Sequence, residues 1–94
     1  MNQFVAVIKT LTARSLTAEV QMTSLEVFDP NGKDCGAPLY LNGYDEASEL
    51  LRIAGVSAKD LDANRPSFES GEEVRFAVSA DSYIVEAMGF TPRL

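Results

Sequence analysis

The residues best suited to chemistry in this chain are carboxylates. Asp45 and Glu49 stand four positions apart, and Glu72 and Glu73 are adjacent. Such pairs can hold a hard cation or share acid–base work. That work most often falls to histidine, whose unperturbed pKa lies nearest neutrality, and the chain has none. The one thiol, Cys35, lies between Asp34 and Gly36. A nucleophilic cysteine needs a base or an electropositive setting to become a thiolate. Asp34 opposes that ionisation, and Lys33 is the one helpful neighbour. The six glycines are isolated and read as punctuation rather than as a phosphate cradle. The residues point away from catalysis and toward no cofactor and no metal. A small carboxylate- or Cys35-dependent enzyme is the disfavoured reading.

The distribution of charge says more. The chain of 94 residues carries a net charge of −6. Residues 44–73 hold Asp45, Glu46, Glu49, Asp60, Asp62, Glu69, Glu72 and Glu73 against Arg52, Lys59 and Arg65. Eight acids against three bases give that stretch −5, and the remainder carries only −1. An acidic stretch repels a phosphate backbone, which is bound by clustered Lys and Arg. A basic protein surface is the complementary partner. Tyr40 and Tyr44 flank the Asn42-Gly43 turn beside this stretch and suit interface anchoring. One of the two is as well suited to the core.

The size and composition bound the scaffold that must present these groups. The length predicts a single domain spanning 1–94. A lone cysteine allows no internal disulfide and fits a reducing, cytoplasmic setting. No apolar run approaches the ~20 residues of a membrane span, and the first residues lack the basic start of a signal peptide.

Residues 4–8 are apolar at every position, as in a strand covered on both sides. Leu16, Ala18, Val20 and Met22 then alternate with Thr17, Glu19, Gln21 and Thr23, which predicts one buried and one wet face. The parity changes at Leu25 and Val27, so a bulge near Thr23-Ser24 is expected, with a new strand or a helix start there as alternatives. A hairpin turn at 13–15 would join the two strands. Asp29-Pro30-Asn31-Gly32 is a strong turn signal, followed by a loop through Gly36 and a short strand at 39–41.

Residues 44–54 carry helical spacing in Ala47, Leu50, Leu51 and Ala54, with acids in the first turn and Gly55 as the stop. Ser57 and Asp60 form a capping-box pattern for a second helix, with Val56 and Leu61 as a hydrophobic staple. Asn64-Arg65-Pro66 is expected to end it. A loop at 67–71 leads to a strand through Val74, Phe76 and Val78. Residues 83–88 read as a last strand, with a short C-terminal helix as the alternative. The sum is an α+β fold: an antiparallel sheet of about four to five strands, in the order β-β-(β)-α-α-β-β. Two short helices cover one face.

Two segments carry local resemblances to known motifs. Residues 50–57 resemble the turn of helix-turn-helix motifs, with Gly55 opening the turn and an apolar residue after it. Leu51 fills a place where those motifs take a small side chain. Asp60 and Asp62 would face phosphates, with no arginine to read a base. A compact αα corner is the better reading. Residues 29–34 resemble a calcium loop, but Lys33 takes a ligand position and Asp34 the glycine position, so a turn is expected.

These observations predict a small acidic, non-enzymatic binding protein that occludes or regulates a partner with a basic surface, of the kind that also holds nucleic acid. A phage or mobile-element inhibitor of anti-CRISPR or anti-restriction type fits that description. The alternative is an assembly module that self-associates through its N-terminal strands, so the chain is expected as a monomer or a homodimer. It is not expected to bind nucleic acid directly or to enter a membrane.

Overall fold

A computed structural model describes residues 3–78 and 81–91. The elements run β1 (Phe4–Arg14), β2 (Glu19–Phe28), β3 (Leu39–Leu41), α1 (Tyr44–Ile53), α2 (Ala58–Glu69), β4 (Val74–Val78) and α3 (Ser82–Ala87). The strands form one antiparallel sheet in the order β3-β2-β1-β4. The fold is therefore α+β, with four strands and three short helices among the described residues.

Successive strand residues face opposite sides of a sheet, and here the two sides differ sharply. The inner side carries Phe4, Ala6, Ile8, Leu25, Val27, Val74, Phe76 and Val78, all buried. Against it pack Ala47 and Leu51 of α1, Leu61 and Phe68 of α2, and Val85 and Met88. Burying each large aliphatic side chain contributes about 1.5–3 kcal/mol. The outer side of the sheet has no helix across it among the described residues.

β1 and β2 pair without interruption from Val5↔Phe28 to Arg14↔Glu19. The expected bulge at Thr23-Ser24 is absent. Met22 and Val20 share the outer face, whereas Leu25 and Val27 share the inner one. The parity change marks the point where the strands leave the body of the domain. Leu16 and Ala18, expected on a buried face, are exposed, as is Val20. The hairpin turn falls one step later than expected. Ser15 closes it by donating its N–H to the Ala18 carbonyl at 2.8 Å, while its Oγ accepts from Ala18 N–H at 3.1 Å.

The Asp29 turn forms as expected. Asp29 Oδ1 accepts from Asn31 N–H at 2.8 Å and Lys33 N–H at 2.9 Å. The following segment is tied into the sheet rather than left as an open loop. Cys35 N–H donates to Val27 and Cys35 C=O accepts from Thr91, each at 2.8 Å.

All three helices end in the same pair of hydrogen bonds, the Schellman arrangement. In α1, Val56 N–H reaches Leu51 C=O at 3.0 Å and Gly55 N–H reaches Arg52 C=O at 3.1 Å. Gly71 and Gly89 close α2 and α3 likewise. Two expectations fail for this reason. α2 does not stop at Pro66 but continues to Glu69. Pro66 forfeits one backbone bond, yet the extra turn carries Phe68 into the core. The last segment takes the helical alternative rather than the strand. Asp81 Oδ1 caps it by accepting from Tyr83 N–H at 2.8 Å, and burial at Val85 and Met88 follows the three-residue helical step.

Candidate functional site

The acidic stretch folds into the αα corner formed by α1 and α2. Ser57 starts α2 by accepting Asp60 N–H on its Oγ at 3.1 Å, as the capping pattern predicts. Tyr44 locks the two helices together. Its hydroxyl donates to the Leu61 carbonyl at 2.6 Å, and its ring meets Phe68 at 4.9 Å between centroids. At 5% exposure it belongs to the core, which corrects its expected role as a surface anchor. Burial raises its pKa above the ordinary 10.0, opposed by the Arg65 charge and reinforced by Asp62.

Arg65 is the hub of the exposed side. Its guanidinium carbon sits 4.8 Å from the Tyr44 ring centroid, in cation–π range, and the group forms an ion pair with Asp45. The hydrogen bond to Asp45, partly offset by desolvation, holds the Arg65 pKa above its already high ordinary value. Asp45 and Glu49 share a face of α1 at the four-residue step; Asp62, Arg65 and Glu69 share a face of α2. The Asp45–Arg65 pair joins these faces. Arg65 also feels the Glu69 charge, and Tyr44 beneath it feels Asp62, so acids of both helices gather around this guanidinium. No ion pair among the described residues reaches Glu49, Asp62 or Glu69.

The other predicted residues go elsewhere. Glu46 turns to the start of its own helix, its Oε2 accepting Asn42 N–H at 3.4 Å. Asp60 lies in the first turn of α2, on a different side from Asp62. Glu72 is exposed at the exit of α2. Glu73 pairs with Arg75 at 2.9 Å, toward the outer side of the sheet. Tyr40 is exposed, but it stands opposite Ser24 between the inward Leu39 and Leu41. It therefore faces away from the acidic corner.

The outer face of the sheet is the surface that sequence reasoning missed. It carries Leu11, Ala13, Val20, Met22 and Tyr40, with Val20 52% and Tyr40 58% exposed. The parity change at Thr23-Ser24 was its sequence signal. An open cleft of about 380 Å³ lies at the base of this face, lined by Val5, Phe28, Asp29 and Arg75 among others. Its two charged groups are engaged, Asp29 by the turn and Arg75 by Glu73. Among the described residues no group of three or more His, Cys, Asp or Glu is placed to hold a metal ion. None of the described helices is long and apolar enough to cross a membrane. Cys35 is fully buried beneath the sheet's edge.

Comparison with models of protein families, with curated proteins and with solved structures returned no match.

Proposed function

We propose that this chain is a non-enzymatic binding protein whose α1–α2 corner covers a basic surface on another protein. One observation carries the reading. The Asp45–Arg65 pair fuses the acidic faces of two helices and leaves Glu49, Asp62 and Glu69 without ion pairs among the described residues. Like charges held together repel one another, and a cationic partner relieves that repulsion. Surfaces that normally grip nucleic acid are basic in this way. An inhibitor of the kind carried by phages or mobile elements, directed at a CRISPR or restriction complex, is the specific form of the proposal.

The test is a pull-down from cell extract across a salt series. Wild type is compared with a Glu49→Gln, Asp62→Asn, Glu69→Gln triple variant. The expected result is a basic protein captured at low salt, released as salt rises, and lost with the triple variant. If the variant retains the same proteins with the same salt response, the acidic corner is not the binding surface.

A further inference from the structure

β4 stops pairing with β1 at Ile8, and β3 stops pairing with β2 at Thr23. The β1–β2 ladder nevertheless runs on to Arg14↔Glu19. Six residues of β1, 9–14, and four of β2, 19–22, thus form a two-stranded arm with no flanking strand among the described residues. At roughly 3.3 Å per residue the arm projects about 20 Å, and it accounts for much of the 45 Å longest dimension.

Unpaired edges invite strand addition, and proteins usually blunt them with proline, bulges, central charges or short length. The β1 edge has no proline and no bulge, and its two charges, Lys9 and Arg14, stand at its ends. Its middle is Thr10-Leu11-Thr12-Ala13, and its ladder is unbroken. The β2 edge is shorter and opens with Glu19. The arm itself is nearly neutral: Lys9, Arg14 and Glu19 give it +1. Lys9 pairs with Glu26 at 3.8 Å, just outside the arm, and Arg14 with Glu19 at 3.0 Å. It therefore offers little to attract a charged partner, while the acid excess resides elsewhere. It is a place where two copies of an acidic chain can meet without mutual repulsion.

We propose that residues 9–14 of β1 pair antiparallel with the same segment of a second copy across a two-fold axis. Such an interface must be complementary to itself, and this one is. Centred on Leu11, the pairing sets Leu11 against Leu11, Thr10 against Thr12 and Lys9 against Ala13. Centred on Thr12, it sets Leu11 against Ala13 and Thr10 against Arg14. Neither register opposes like charges, and both make favourable cross-strand pairs. β4 blocks registers closer to the body. The contact is smaller than the ~800 Å² per partner of a standard interface, so dimers form in proportion to concentration. The inference does not rest on the acidic corner.

Sedimentation of the whole chain from about 1 µM to about 1 mM is expected to show a reversible monomer–dimer equilibrium. Leu11→Lys/Thr12→Lys and Leu11→Glu/Thr12→Glu double variants each raise the dissociation constant about tenfold or more, and mixing them restores pairing. Val20→Lys, on the other strand, shifts it by less than about threefold. Neutralising Glu49, Asp62 and Glu69 leaves the dimer in place. A nitroxide at Thr12→Cys, with Cys35 buried, reads an interspin distance below about 20 Å in the dimer, because adjacent strands lie close; this holds even if the double variants misfold. Three results would each overturn the proposal: a monomer at every concentration, association indifferent to charge at 11 and 12, or a longer interspin distance.

Discussion

The Tyr44 hydroxyl donates to the Leu61 carbonyl at 2.6 Å inside the core, bridging α1 to α2 across 17 positions of sequence. The bond makes the αα corner rigid from beneath, and the Asp45–Arg65 pair closes it from above.

Tyr44→Phe removes this bond without changing the ring's packing on Phe68. The expected cost is about 0.5–1.5 kcal/mol, read as a fall in denaturant midpoint with an unchanged slope. The pH dependence follows from the raised pKa. The unfolded tyrosine ionises first, near 10.0, and the folded one later. Tyr44 therefore contributes stability in full below that value and loses it as pH rises through the folded pKa. The variant is expected to show a shallower alkaline decline than wild type; equal slopes would remove Tyr44 as its source.

Gly55→Ala and Gly89→Ala probe the shared helix endings. Both glycines have positive φ, 93° and 101°. A Cβ at Gly55 meets nothing within 4 Å, whereas at Gly89 it lies 3.3 Å from Leu39 Cδ1. Gly55→Ala is expected to cost about 1 kcal/mol from backbone strain alone, a fall of roughly 4–8 °C in Tm for a domain of this size. Gly89→Ala is expected to cost more, and thermal melts of the two variants side by side decide the order.

Pro66→Ala restores an N–H to the middle of α2 and removes the ring's clash with the Asp62 carbonyl. A proline in a helix interior costs about 3 kcal/mol, part of which is returned through a stiffer unfolded chain. A net gain of about 1–2 kcal/mol is expected. Chemical denaturation checks it, and a destabilised variant would mean that α2 needs the proline's shape.

Arg65→Gln removes the cation that pairs with Asp45 and feels Glu69, making the corner one charge more negative. The variant's stability is expected to fall most at low salt and to recover as salt screens the carboxylates. Melting curves at low and high ionic strength read this directly. A salt response equal to that of wild type would show that the carboxylates do not act on one another.

Much of the chain is legible one residue at a time. The Ser57 cap, the Asp29 turn, the Gly55 stop and the alternation of Val74, Phe76 and Val78 all appear in the structure where their local chemistry puts them. The acidic composition of the corner was legible too, but its arrangement was not. Helical spacing alone groups Asp62 with Glu69, whereas only the packing of α1 on α2 brings Asp45 alongside Arg65. Tyr40 and Tyr44 look alike in sequence, yet strand pairing turns one outward and helix docking buries the other.

Caps, turns and helix stops are made by hydrogen bonds within a few residues, so sequence by itself determined them. Which face is buried depends on what lies opposite, and tertiary structure alone decided that. No described helix crosses the outer side of the sheet, so Val20 and Met22 are left on an uncovered face despite a pattern that suits burial. Residues 83–88 have enough apolar side chains for strand or helix. The Asp81 cap, the Gly89 ending and the core's demand for Val85 and Met88 together make them a helix. Pro66 is overruled in the same way, because Phe68 gains more from the core than the helix loses at one backbone bond.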